Sequence, residues 1–160
     1  MNVTELTQAL IRCPSVTPVT AGVFDVIENF LKPLGFTVHR ATFALEGAAP
    51  VENLYARLGT QSPNFCFAGH TDVVPVGDEF AWKLPPFAAT VVDGELYGRG
   101  AEDMKGAIAA FMIAVREFLA PSLRAERSNP DDAATTNAGW IASSALPPRN
   151  DAWKGSISFL

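Results

Sequence analysis

The stretch that decides the fold is Asn64-Phe-Cys-Phe-Ala-Gly-His-Thr-Asp72, in which a continuous apolar run passes into a short polar segment. The apolar run, residues 64–69, has the pattern of a strand that is covered on both faces of a sheet. Residues 70–86 contain prolines and glycines that interrupt regular structure, which predicts a loop at the end of this strand. Open α/β sheets bind their ligands at loops of this kind, so we expect the functional site here.

The residues on either side of this stretch predict further helices and strands. Apolar side chains recur at helical spacing in three segments, while branched or alternating side chains mark two strands and a hairpin. The predicted helices are residues 3–12, 23–34 and 104–119, and the predicted strands are residues 36–41 and 53–58, with a hairpin over residues 90–96. Helices and strands in this order are typical of an α/β domain.

The composition excludes several classes of protein. With 160 residues, of which 48% are hydrophobic and 18% charged, the chain can form the core of about one domain. Its net charge of −5 argues against nucleic acid or an anionic membrane as the partner, because phosphate-binding surfaces are positively charged. The longest apolar run, residues 107–115, is too short to span a bilayer, and the first residues do not form a secretory leader. We therefore expect a cytoplasmic protein.

The composition changes towards the end of the chain. Residues 122–153 are rich in Ala, Ser, Asn, Asp, Pro and Arg, and no helical or strand period persists in them. Compact domains rarely contain a structureless connection longer than ~15 residues, so we expect an irregular, disordered insertion here. Residues 154–160 have the pattern of a new strand, which the end of the chain truncates. Residues 1–121 form the first part of the expected domain.

His70 and Asp72 are the first candidates for chemistry. In an extended backbone alternate side chains share one face, so these two side chains can lie close together. An imidazole that binds a metal usually donates its other N–H to a carboxylate, which fixes its tautomer. A turn histidine that is capped by a nearby acid gives the same spacing. From the spacing alone, both interpretations are open.

Asp103 is the second candidate. It follows the glycine-rich segment Gly98-Arg-Gly100 and precedes a predicted helix, where the backbone N–H groups favour an ionised carboxylate. Such a carboxylate could bind a metal, or it could simply be the N-cap of the helix. A dinucleotide-binding loop is not supported, because Asp103 occupies the place of the third glycine and would repel a pyrophosphate.

Several separated motifs occur in one order along the chain: Phe67-Ala-Gly-His-Thr-Asp-Val-Val-Pro75, Leu96-Tyr-Gly-Arg-Gly100 and Asp103-Met-Lys-Gly106. Together they resemble the zinc-dependent aminoacylase and carboxypeptidase family. The resemblance covers roughly residues 1–120 and resumes at Lys154. It implies an α/β fold with a mixed sheet flanked by helices, which forms the N-terminal, incomplete part of a catalytic domain with two zinc ions.

The resemblance also implies roles for the candidate residues. His70 would bind one zinc ion, Asp103 would bridge both ions, and Asp72 would be a catalytic residue that orients His70. Zinc, or cobalt in its place, would then support hydrolysis of an amide bond in a small N-acylated substrate. The substrate that the resemblance favours is N-succinyl-L,L-2,6-diaminopimelate of lysine biosynthesis, and a deacylase for acetylated amino acids such as acetylornithine is the alternative.

The family pattern extends beyond the residues of this chain. A glutamate that acts as general base, further zinc ligands and a dimerisation domain are expected after Leu160, where the sequence ends. We therefore expect a truncated form of an enzyme whose complete relatives are homodimers. A non-catalytic remnant that lacks the general base is the alternative.

Overall fold

The computed structural model describes residues 1–120 and 155–160. These residues form three α-helices and six β-strands. The helices are α1 (Val3–Ile11), α2 (Val23–Leu31) and α3 (Gly106–Leu119), and the strands are β1 (Thr37–Phe43), β2 (Val51–Leu58), β3 (Asn64–Phe67), β4 (Thr90–Val92), β5 (Glu95–Tyr97) and β6 (Ser156–Phe159). The predicted insertion at residues 122–153 lies outside the described residues.

Helix α1 begins, and the helical segment that starts with α2 ends, where the sequence predicts. Asn2 caps α1 with a capping box: its side chain accepts from the N–H of Glu5, whose carboxylate accepts from the N–H of Asn2. After α2 the chain tightens into a 3-10 turn at Lys32–Leu34 and stops at Gly35, whose φ of 92° lies in the left-handed region. Both predicted helices are therefore confirmed.

The main sheet has the strand order β1-β2-β6-β3 and is mixed. Strands β1 and β2 are antiparallel with Val38 opposite Ala56, β6 is antiparallel to β2, and β3 is parallel to β6 with Phe65 opposite Ile157. Of the strand predicted at residues 154–160, Ser156–Phe159 is thus confirmed as β6, which lies between β2 and β3. Strands β4 and β5 form a separate antiparallel hairpin around Asp93-Gly94, as expected.

The prediction that residues 64–69 form a strand covered on both faces is wrong. Among the described residues β3 pairs with β6 alone and lies at the edge of the sheet, and its first three residues are exposed. A continuous apolar run fits a covered strand, but the run does not specify its neighbours. Phe67, at the C-terminal end of β3, packs against the core, and the exposed Phe65 contacts the ring of Phe111 at a centroid distance of 6.0 Å.

The helices pack on the sheet through one apolar core. Phe111 of α3 stacks on Phe67 with ring centroids 4.4 Å apart, and Phe67 in turn stacks on Phe159 at 5.8 Å. The core also contains residues from all three helices and both central strands, including Leu6, Leu10, Ile27, Leu54, Ala56, Ile108, Met112 and Ile157. This packing confirms the α/β class with a mixed sheet, and it fixes the end of β3 relative to the start of α3. Within the described part of the chain, no helix is long and apolar enough to cross a membrane.

Candidate metal centre

The fold brings His70 and Asp103 together, although they lie 33 residues apart in the sequence. His70 Nε2 is 3.0 Å from Asp103 Oδ1. His70 lies in the loop that leaves β3, and Asp103 lies in a wide turn, Ala101–Lys105, that precedes α3. Both side chains face solvent, with exposed fractions of 47% and 84%. The two ends of the motif pattern therefore meet at one accessible point.

Asp103 is not the N-cap of a helix, so that interpretation is wrong. Its φ of −120° and ψ of 97° are non-helical, and α3 begins only at Gly106 with Lys105 as its N-cap. The wide turn intervenes because Lys105 donates its backbone N–H to the carbonyl of Gly100, five residues earlier. Asp103 therefore presents its carboxylate to His70 rather than to the N–H groups of α3.

The other side of the His70 ring contacts Asp72. Nδ1 lies 3.1 Å from the backbone carbonyl of Asp72 and 3.5 Å from its carboxylate Oδ1. A carbonyl and a carboxylate can only accept, so a proton on Nδ1 is donated to the Asp72 carbonyl and a proton on Nε2 is donated to the Asp103 carboxylate. The Asp72 carboxylate lies just beyond hydrogen-bond distance, so the backbone makes the shorter contact. A metal ion bound at Nε2 would take the place of the proton that faces Asp103.

The surroundings of His70 raise its pKa above the ordinary value. Partial burial alone would lower the pKa of His70, but the hydrogen bonds to the Asp72 carbonyl and the Asp103 carboxylate act in the opposite direction, as do the negative charges of both acids. The net direction is upward. The carboxylates of Asp72 and Asp103 thus favour a positive charge at His70, which a proton or a metal cation can supply.

The donor atoms fit a divalent metal ion in kind. An imidazole nitrogen and a carboxylate oxygen are ordinary zinc ligands, and here Nε2 of His70 and Oδ1 of Asp103 lie 3.0 Å apart. Nowhere in residues 1–120 and 155–160 is there a group of three or more His, Cys, Asp or Glu side chains that could hold an ion. A hydrolytic zinc ion needs about three protein ligands. His70 and Asp103 can therefore supply part of such a site.

Thr17 and Ser15 are site residues that the sequence did not reveal. Thr17 Oγ1 donates to Asp72 Oδ2 at 2.6 Å, across 55 residues of sequence. Ser15 Oγ donates to the backbone carbonyl of Thr71 at 2.7 Å. Both contacts come from the segment after α1, and a short parallel bridge between Val16 and Val73 lies beside them. No local pattern identifies these residues, because their partners are distant in sequence.

Two further unpredicted contacts come from the turn that carries Asp103. The backbone N–H of His70 donates to the sulfur of Met104 at 3.4 Å, which links the two loops directly. Lys105 is fully buried and donates through Nζ to the carbonyls of Leu10 and Cys13, at 2.9 and 2.8 Å. Burial lowers the pKa of Lys105 to about 8. The two residues that follow Asp103 therefore hold the turn in place: Met104 contacts the loop of His70, and Lys105 contacts the end of α1.

Comparison with known proteins supports the resemblance seen in the motifs. Residues 66–128 match the family described as "Peptidase family M20/M25/M40". The chain is 57% identical over 125 residues to succinyl-diaminopimelate desuccinylase of Rhodospirillum centenum, which is 78% of this chain and 31% of that protein. It is 59% identical over 109 residues to the protein of the same name from Parvibaculum lavamentivorans, covering 68% of this chain and 28% of that protein. The predicted resemblance is confirmed, and the chain spans about three-tenths of the length of these relatives.

Solved structures resemble the fold as well. Human carnosine dipeptidase 1 aligns with a TM-score of 0.66 and 26% identity, over 98% of this chain and 30% of the dipeptidase. An M20 family metallo-carboxypeptidase of Sulfolobus solfataricus aligns with a TM-score of 0.62 and 20% identity, over 99% of this chain and 30% of that protein. The second likeness concerns the fold alone. Both agree with the mixed α/β architecture described above.

Proposed function

We propose that this chain is the N-terminal part of a zinc-dependent amide hydrolase, because it is similar to the M20/M25/M40 peptidases over residues 66–128 and to curated desuccinylases over most of its length. The reaction proposed for the whole enzyme is hydrolysis of N-succinyl-L,L-2,6-diaminopimelate to succinate and L,L-diaminopimelate, in lysine biosynthesis. The names and identities of the curated relatives support this substrate. The observation that carries the proposal is the 3.0 Å approach of His70 Nε2 to Asp103 Oδ1.

In this proposal each residue of the candidate centre has one task. His70 would offer Nε2, Asp103 would offer carboxylate oxygens that could serve two ions, and Asp72 would orient the ring by accepting from Nδ1. Zinc, when bound, supplies Lewis-acid polarisation of a carbonyl and a lowered pKa for water. The exposure of His70 and Asp103 leaves this face open to a small-molecule substrate.

Residues 1–121 and 154–160 are proposed to belong to one catalytic domain that residues 122–153 interrupt. The sheet supports this assignment, because β6 lies between β2 and β3. The truncation, the cytoplasmic location and the homodimer of complete relatives stay predictions. So does the use of two zinc ions, with cobalt as the alternative metal.

A second candidate is a chain that binds metal without hydrolysing an amide. The small ligand number within the described residues favours it, because two ligands do not complete a hydrolytic zinc site. A third candidate is a related deacylase for acetylated amino acids such as acetylornithine. Release of succinate from N-succinyl-diaminopimelate, measured beside release of acetate from N-acetylornithine, distinguishes all three candidates.

Zinc binding by the 160-residue chain tests the role of the candidate centre. We expect His70→Ala and Asp103→Asn each to weaken zinc binding by at least ~10-fold, as measured by competition with a chromophoric chelator. His39→Ala is the matched control, because His39 is an exposed histidine on β1, outside the loops that carry the centre. Equal zinc affinity in the unaltered chain and in both site variants would refute the proposed metal centre.

A further inference from the structure

One segment of the chain touches both loops that carry the candidate ligands. We call residues 10–17, which comprise the end of α1 and the turn after it, the bridging segment. It contacts the loop of His70 on one side and the turn of Asp103 on the other. No part of the bridging segment belongs to the sequence motifs that indicated the site.

The first set of contacts holds the loop of His70. Ser15 Oγ donates to the carbonyl of Thr71 at 2.7 Å, and the N–H of Val73 donates to the carbonyl of Ser15 at 2.9 Å. The N–H of Thr17 donates to the carbonyl of Val73 at 3.4 Å. Between these backbone bonds, Thr17 Oγ1 donates to Asp72 Oδ2 at 2.6 Å. The loop is thus fixed on both sides of Asp72, and so is the carboxylate itself.

The second set of contacts holds the turn of Asp103. Lys105, two residues after Asp103, is fully buried and donates to the carbonyls of Leu10 and Cys13. An ammonium group that is removed from water must be hydrogen-bonded, so its position is tightly restricted. The turn cannot move away from α1 without leaving this charge unpaired in the core.

We propose that the bridging segment is a positioning element that sets the separation between His70 and Asp103, and that Thr17 is its positioning residue for Asp72. This inference rests on the proposed metal centre. Thr17 holds Oδ2 of Asp72, which leaves Oδ1 at 3.5 Å from Nδ1 of His70. The backbone carbonyl of Asp72 lies 3.1 Å from Nδ1, so the loop that Thr17 holds also orients the imidazole ring. Releasing Asp72 would therefore leave the ring free to turn away from Asp103, and a metal ion would have to order it on binding.

Thr17→Val and Thr17→Ser test this role, because valine keeps the shape of threonine without its hydroxyl and serine keeps the hydroxyl. Thr17 is exposed, so we expect both variants to fold with an unchanged melting temperature. Zinc affinity should fall by ~10-fold in Thr17→Val and stay within ~2-fold of the unaltered chain in Thr17→Ser. An equal loss in both variants, or no loss in Thr17→Val, would overturn the proposal.

A second measurement does not require bound zinc. Amide hydrogen exchange of the metal-free chain, followed by NMR, reports how firmly the loop of His70 is held. The N–H of Val73 donates to the carbonyl of Ser15, so we expect it to exchange ~10-fold faster in Thr17→Val and at the rate of the unaltered chain in Thr17→Ser. If the chain binds no zinc but shows this difference, the metal centre fails while the positioning by Thr17 is supported. An identical exchange rate in all three proteins would overturn the positioning role itself.

Discussion

Gly100 lies where the two ligand-bearing loops meet, so a single methyl group added there tests how tightly they are packed. Gly100 has a φ of 79°, in the left-handed region. A Cβ atom at this position would lie 2.6 Å from Cγ1 of Val73, 3.4 Å from the carbonyl oxygen of Asp103 and 3.5 Å from Cδ of Lys105. Val73 is buried and directly follows Asp72, so it cannot turn aside into solvent.

Two costs add up for Gly100→Ala. The left-handed conformation costs alanine about 1 to 2 kcal/mol, and forcing a methyl group into a packed contact costs about 1 to 3 kcal/mol. We therefore expect the free energy of unfolding to fall by about 3 kcal/mol in total. For a chain of this size, that loss lowers the melting temperature by about 10 °C. Because the contact pushes Val73 away from the Asp103 turn, zinc affinity should fall as well.

Gly94→Ala is the matched control. Gly94 has a φ of 83° in the β4–β5 hairpin, and a Cβ atom there would meet nothing within 4 Å. This variant should lose only the conformational cost, about 1 to 2 kcal/mol, and should keep its zinc affinity. Urea unfolding followed by circular dichroism measures both variants. If Gly100→Ala is no less stable than Gly94→Ala and binds zinc equally well, the two loops are not packed as described.

Three further variants or measurements follow from particular contacts. Lys105→Met removes both hydrogen bonds to the end of α1, and we expect urea unfolding to show a loss of about 1 to 3 kcal/mol; an unchanged midpoint would contradict the anchoring role. Ser158→Ala removes the acceptor of the Asn64 amide between β6 and β3, and should cost about 1 kcal/mol in the same assay, so that full stability would count against this contact. Alkylation by iodoacetamide at neutral pH, followed by mass spectrometry, should modify exposed Cys66 before Cys13, because burial raises the pKa of the Cys13 thiol. Faster modification of Cys13 would contradict the burial of that thiol.

The sequence predicts the elements whose signals are local. The apolar stripes of α1 and α2 and the stop at Gly35 depend on residues within a few turns of each other. The Asp93-Gly94 hairpin is equally local, since both residues must adopt a positive φ. The pairing of His70 with Asp103 could be inferred only from the family motifs, because no period or spacing connects residues 33 positions apart.

The features that the sequence does not predict share one physical cause, because each of them depends on tertiary contacts. The apolar run at residues 64–69 indicates a strand but not whether that strand is central or at an edge. Asp103 precedes a helical stripe and is acidic, yet the wide turn before α3 removes it from the helix end. Thr17 and Lys105 look like a loop residue and a solvated charge, and their roles depend on partners at residue 72 and in α1.

The small number of ligands makes positioning decisive for the candidate centre. A metal ion recovers free energy with each ligand it gains, but each side chain that must be ordered on binding costs up to about 2 kcal/mol. With His70 and Asp103 as the two residues that meet here, few bonds are available to offset that cost. A chain that fixes the loops beforehand, through Thr17 on one side and Lys105 on the other, avoids most of it. Substitutions in the bridging segment should therefore weaken metal binding although none of its residues binds the metal.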